Sequence, residues 1–337
     1  MTQTGAARRH VPVLLAEVMH ALDVQAGGVY LDGTFGAGGY ASAILDRGGE
    51  VIGVDRDPAA IARGQELVAA AQGRLKLIEG RFGDLRTILA GAAEPPLAGI
   101  VFDIGVSSMQ IDEAARGFSF RHDAPLDMRM SGAGRSAADI LLQEGEETIA
   151  NILFHYGEER ASRRIARAIV ADRVAAPYVS TLQLAQMIER VAPAKPGELT
   201  HAATRSFQAL RIAVNDELGE LLRGLIGAEA VLALGGRLAV VTFHSLEDRI
   251  VKQFFARRSG RGEAASRLLP GEPARLAPTF LAPPGQPIIP GEGERCDNSR
   301  SRSAKLRFAS RTDAPARGPD DDLARLAQLP RARPGRG

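Results

Sequence analysis

The chain predicts a doubly wound α/β fold, a Rossmann-like sheet with an inserted all-helical domain. Three observations predict it: short β-branched runs alternate with helix-like stretches from residue 29 to about 105, a glycine-rich bend follows the first run, and residues 111 to 205 carry helical signals with no convincing strand. The first run, VYLD at 29 to 32, ends in an acid and opens onto GTFGAGG before the helix-like YASAILDRG. Next come EVIGVDRD as a second strand, PAAIARGQELVAAA as a helix, RLKLIEGRF as a third strand and GIVFDIG as a fourth. Such spacing joins parallel strands through helical crossovers.

After Gly105 the pattern changes. Ser136 caps a predicted helix AADILLQ, and EETIANILFHYG, EERASRRIARAIVADR and STLQLAQMIERVA follow before the break at APAKPG. A long helix is expected from Leu199 to about Leu234, ending at Gly235 and Gly236, after which RLAVVTF resumes the sheet. Residues 257 to 300 read as irregular, KLRFA as a last strand, and the tail after Arg311 as disordered. The expected organisation is a discontinuous Rossmann-like domain, 1–110 with 206–310, an inserted helical domain at 111–205, and a tail at 311–337.

Composition narrows the function classes. With 45% hydrophobic residues in 337, the chain can build a packed core, and a net charge of +2 confines any nucleic-acid footprint to local clusters. The single cysteine, Cys296, excludes an intrachain disulfide framework and a cysteine-based zinc site. No apolar run approaches a membrane span, because VPVLLAEVMHAL is interrupted by Glu17. A cytoplasmic protein without membrane partners is expected. The oligomeric state is open, with a homodimer among the options.

The segment LDGTFGAGGYA, residues 31 to 41, satisfies the dinucleotide fingerprint from Gly36 to Ala41, with Asp55 at the end of the next strand placed for ribose hydroxyls. The loop alone does not choose a cofactor. Asp32 does: a carboxylate just before the loop would repel a pyrophosphate but pair with the ammonium of a bound methionine, and Asp103 at the end of the fourth strand adds a second acid. S-adenosylmethionine is therefore favoured over a nicotinamide nucleotide. Acids at strand ends also cap helices or sit solvated, which is the bland alternative.

Long motifs then carry a resemblance. HVPVLLAEV at 10 to 18, LDGTFGAGGY at 31 to 40, GVDRDPAAI at 53 to 61, RFGDL at 81 to 85, FDIGVSSMQID at 102 to 112, GFSFRHDAPLDMRM at 117 to 130, ATRSFQALRIAVNDEL at 203 to 218, VVTFHSLEDRIVK at 240 to 252 and NSRSRSAKLR at 298 to 307 together resemble the ribosomal RNA small-subunit methyltransferase H family, also called MraW. The resemblance implies methyl transfer from S-adenosylmethionine to the exocyclic N4 amine of a cytidine in the decoding region, at the P site, of 16S ribosomal RNA, with the small ribosomal subunit as partner. It also implies that the cofactor is held by Gly38, Gly39, Tyr40, Asp55, Phe82, Asp103 and Gln110. Tyr40 departs from the histidine expected there, so a side-chain role at that position is in doubt.

The cytosine amine is a poor nucleophile, and an acceptor for its N–H would favour attack. Asp103 is the candidate, with Ser107 and Ser108 nearby and no Asn- or Asp-Pro-Pro-aromatic motif; its alternative role is cofactor binding alone. His244 reads as a hydrogen-bonding brace more readily than as a proton acceptor, and Glu247 and Asp248 as the acidic first turn of a helix. No acid or histidine set has a metal-ligand spacing, so no metal is expected. For RNA, Arg160, Arg163, Arg164 and Arg167 recur at helical spacing on one face, and Arg300, Arg302, Lys305, Arg307 and Arg311 form a second cluster with no acid among them. Phe118 and Phe120 suit either base stacking or a core between the domains, the latter preferred. A small-molecule methyltransferase, a nicotinamide-dependent oxidoreductase and a non-enzymatic RNA scaffold are the rival readings.

Overall fold

The computed structural model describes residues 11–90, 96–195, 197, 200–261 and 276–330. Five strands run parallel: β1 (Val29–Asp32), β2 (Glu50–Asp55), β3 (Leu75–Glu79), β4 (Leu97–Asp103) and β5 (Leu232–Thr242). Two antiparallel strands, β6 (Phe280–Leu281) and β7 (Lys305–Arg311), complete one sheet in the order β3-β2-β1-β4-β5-β7-β6. Central strands are apolar on both faces: Ile100, Val101 and Phe102 of β4 and Leu238 to Val241 of β5 are fully buried, as parallel strands covered by helices require. Helices Leu15–Leu22 and Gly39–Leu45 cover the sheet through Val18, Leu22, Ala41 and Ile44, against Tyr30, Val101 and Val241.

The chain divides into two units, the first made of the residues up to Gly105 with Leu221–Leu323, the second of Val106–Glu220 with the residues from Ala324. The second has its own core, in which Ile149, Leu153, Ile165, Leu184, Phe207 and Leu210 meet. Its divisions differ from the expected 110 and 205. Helix Thr204–Asn215 packs with helix Glu146–Gly157, where Gly157 comes so close that an added Cβ would lie 2.4 Å from the Arg205 carbonyl.

Three further expectations are corrected. The single helix to Leu234 is two, Thr204–Asn215 and Glu217–Val231, parted by Asp216 in the left-handed region at φ 51°. The buried Asn215 amide donates to the Met128 carbonyl and its oxygen accepts from Met130 N–H, fixing the break by long-range bonds that periodicity does not reveal. Residues 232 to 236 belong to β5, whose register against β4 shifts between Leu97 and Gly99. The tail is ordered where described: helix Asp321–Ala327 buries Leu323, and Tyr156 OH donates to the Ala327 carbonyl. Residues 331–337 of that tail, 262–275 of the irregular segment, and the Leu199 start of the expected helix lie outside the described residues. Among the described residues no helix is long and apolar enough to cross a membrane.

Candidate active site

Strand order reverses between β1 and β4, and sheets of this kind take ligands at that switch point, beyond the strands' carboxyl ends. Asp32 ends β1, Asp55 ends β2 and Asp103 ends β4. Backbone bonds hold the first turn of the loop closed: Gly33 N–H donates to the Val101 carbonyl at 3.0 Å, and Asp103 N–H donates to Thr34 Oγ1 at 2.6 Å. At Gly33 a Cβ would lie 2.4 Å from the Phe102 ring, and Gly38, the residue before helix Gly39–Leu45, has φ 75°. Both positions therefore demand glycine, one for space and one for conformation. Gly39 faces the Pro12 ring, 2.2 Å from an added Cβ, so its bareness serves packing by the N-terminal segment. Sequence reasoning missed Gly33 and Thr34; the signal was the D-G-T following an acid-terminated strand.

The acids are unusual in what they lack. Asp32 is fully buried, its Oδ1 accepts from Thr34 N–H at 3.2 Å, and Oδ2 has no hydrogen-bond partner among the described residues. Asp103 Oδ1 is likewise buried without a partner among them. Burial pushes the Asp32 carboxyl up to about 7, against the Thr34 and Ala41 N–H groups and with the Asp55 charge adding. Burial pushes Asp103 up to about 8, with the Asp32 and Glu247 charges adding. Leaving a buried carboxylate oxygen unsatisfied costs about 1–3 kcal/mol, more when it is charged. A cation with N–H donors removes that cost, and a diphosphate increases it.

Asp55 is oriented differently. Its Oδ2 accepts from Gly36 N–H at 2.7 Å and its Oδ1 from Asp57 N–H at 2.8 Å, so the glycine loop and the start of helix Pro58–Ala70 fix the carboxylate while second lone pairs remain for hydroxyls. Phe82 packs on Phe102, with ring centroids 4.8 Å apart, and on Gly224, where a Cβ would come within 2.5 Å of its ring. Tyr40 is buried, and its hydroxyl donates to the Val13 carbonyl. The tyrosine that replaces the expected histidine is thus tied to the segment before helix Leu15–Leu22.

Gln110 lies in the second unit, where its side chain and the Ser107 hydroxyl form a reciprocal capping box on helix Ser108–Asp112. His244 caps helix Ser245–Arg258, and its Nε2 lies 2.9 Å from Oε1 of the fully buried Glu247. Glu247 Oε2 also accepts from Phe243 and His244 N–H groups. That geometry is a brace.

The arginine clusters need correction. Arg160 lies in the turn before helix Ser162–Asp172 and not on it; Arg163, Arg164 and Arg167 are on the helix and exposed, and Arg167 reaches Glu146 at 3.6 Å. In the second cluster an acid distant in sequence intervenes, for Asp248 accepts from Arg307 at 2.7 Å and from Lys305 at 3.2 Å. Arg311 is buried and donates to the Glu229 and Thr279 carbonyls. Arg300 and Arg302 sit in a 3-10 turn, with Arg302 exposed. Phe118 and Phe120 pack against the core of the second unit itself, Phe120 on Phe207 and His201.

A largely parallel sheet of this order, with a glycine turn and acid-ended strands at its switch point, is the Rossmann-like architecture of a class I methyltransferase that uses S-adenosylmethionine. The MraW methylase family matches residues 7–312, and the chain belongs to that family. Relatives named ribosomal RNA small subunit methyltransferase H are similar over almost the whole length: that of Methylocella silvestris is 60% identical over 98% of this chain and 96% of its own, and that of Methylorubrum extorquens is 59% identical over 99% and 95%. A solved rRNA methylase from Streptococcus thermophilus is a remote likeness, with a TM-score of 0.40 and 11% identity over 91% of this chain and 100% of that one.

Proposed function

We propose that the chain methylates the N4 amine of a cytidine in the decoding region, at the P site, of 16S ribosomal RNA, acting in the cytoplasm on RNA of the small subunit. The observation that carries the reading is the pair of buried, partnerless carboxyl oxygens of Asp32 and Asp103 beside a glycine turn, in a chain whose relatives bear the name of a ribosomal RNA methyltransferase. When bound, S-adenosylmethionine supplies a methyl group on a sulfonium leaving group, so positioning is the main demand on the protein.

Gly38 and Gly39 would offer backbone groups to the cofactor, Asp55 would take ribose hydroxyls, Phe82 would offer an apolar face, and Asp32 would accept from the ammonium. Gln110 and the Tyr40 backbone complete the set that the family resemblance implies. Asp103 Oδ1 would accept an N–H of the cytosine amine, raising electron density on nitrogen as attack begins, and hold that proton afterwards; its upward-shifted acidity suits a proton acceptor. An Asp103→Asn chain is expected to bind cofactor within a fewfold of normal and turn over about 100-fold more slowly; full turnover at unchanged affinity contradicts the acceptor role. The reaction itself is tested by mapping modified cytidines in ribosomal RNA from cells with and without the gene. One N4-methylated cytidine in the decoding region should vanish with the gene, and an unchanged map refutes the proposal.

A further inference from the structure

The second unit holds a cavity of about 830 Å³ that the methyl-transfer reading does not use. Phe154, Arg160, Arg163, Arg164, His201 and Arg205 are among its walls. All four arginines are exposed, and none has an acidic partner among the described residues. Glu159, the nearest acid in sequence, lines the cavity but is buried, and its Oε1 accepts from Ala161 N–H at 2.7 Å at the entry to helix Ser162–Asp172. Phe154 is 51% exposed on an otherwise amphipathic helix, and the His155 ring stands against it edge-on with centroids 5.0 Å apart. An exposed aromatic ring beside four guanidinium groups and Lys195, against Glu159 as the acid in the walls, joins a stacking surface to a phosphate-binding one.

We propose that this cavity is a binding cleft for single-stranded RNA, taking phosphates on Arg160, Arg163, Arg164 and Arg205 and an unstacked base on Phe154. The assignment rests on the reading of the chain as an RNA methyltransferase and names a second point of attachment for that substrate, made by residues outside the proposed cofactor site. A concave space of this volume admits a nucleotide, whereas a duplex presents only its convex backbone and shallow groove. Arg167, 3.6 Å from Glu146, is not among the walls.

The test is fluorescence anisotropy with the full chain, using a short labelled single-stranded RNA copied from the decoding region, the same RNA annealed to its complement, and polyglutamate as competitor. Replacing Arg160, Arg163, Arg164 and Arg205 together by Ala should weaken single-strand binding at least tenfold near 0.1 M salt. The same change should lower the salt slope by about 0.7 for every phosphate that no longer meets an arginine. Phe154→Ala should weaken binding about tenfold with the slope unchanged. Affinity for S-adenosylhomocysteine should match the parent in both variants, which reports an intact fold. Unchanged RNA affinity in the quadruple variant, equal affinity for the duplex, or displacement of RNA by an equal charge of polyglutamate overturns the cleft. The site of methylation is measured separately, so a chain that binds RNA here yet modifies another position loses the proposed reaction and keeps the cleft.

Discussion

At the scale of the residue, Asp32 and Asp103 would determine what the proposed site accepts. Each has a folded-state acidity raised from the ordinary 3.8, to about 7 and about 8, so the folded chain binds more protons than the unfolded one between those values. Stability contributed at these sites is therefore present at low pH and falls as pH rises from about 4 through 8, the reverse of a salt-bridged aspartate. Donor binding runs the opposite way, because the charged Asp32 carboxylate would attract the ammonium: affinity for S-adenosylhomocysteine, which keeps that group, should rise as pH passes through about 7, with proton release. Calorimetry in two buffers of different ionisation enthalpy reads both, and Asp32→Asn should flatten the profile. A pH-independent affinity with no proton release would remove Asp32 from the site. Tyr40 makes a contrasting case. Tyr40→Phe leaves the buried Val13 carbonyl without its hydroxyl donor and should cost about 1–2 kcal/mol in chemical denaturation while leaving cofactor affinity unchanged.

At the scale of the element, the strands from β1 to β4 could be read directly because parallel strands buried on both faces are unbroken apolar runs between turn residues. Asp32, Asp55 and Asp103 were legible for the same reason: each ends such a run. The break at Asp216 was not, since it depends on Asn215 meeting residues 128 to 130, more than 80 positions away. Asn215→Ala should remove both bonds and lower stability by about 2–4 kcal/mol, loosening the 116 to 130 segment to hydrogen exchange before the sheet. Nor did charge in the sequence show its partners. The buried pair of Arg258 with Glu229 at 3.0 Å, joined by the Thr279 hydroxyl at 2.6 Å, binds helix Ser245–Arg258 to the region of β6. Arg258→Ala leaves Glu229 unpaired in the core and should cost about 3–5 kcal/mol, more than any exposed arginine in the chain. A loss below about 1 kcal/mol would mean the pair is solvated.

At the scale of the whole molecule, one chain builds a sheet that leaves and re-enters its own unit, with a helical unit between Gly105 and Leu221. The sequence shows a change of hydrophobic period after Gly105, whereas the extent of the second unit follows from helix Thr204–Asn215 packing in its core, which periodicity does not reveal. The first unit presents acids where a cationic donor is expected; the second presents arginines where an anion is. That division of charge is averaged away in a net charge of +2, which is why composition alone said so little.

The most direct test supplies the purified chain with methyl-deuterated S-adenosylmethionine and small ribosomal subunits lacking the modification, then digests the RNA to nucleosides for mass spectrometry. The account predicts label in N4-methylcytidine from the decoding region, abolished when Asp32 and Asp103 are both changed to Asn. Label in another nucleoside, or undiminished transfer by the double variant, would contradict it.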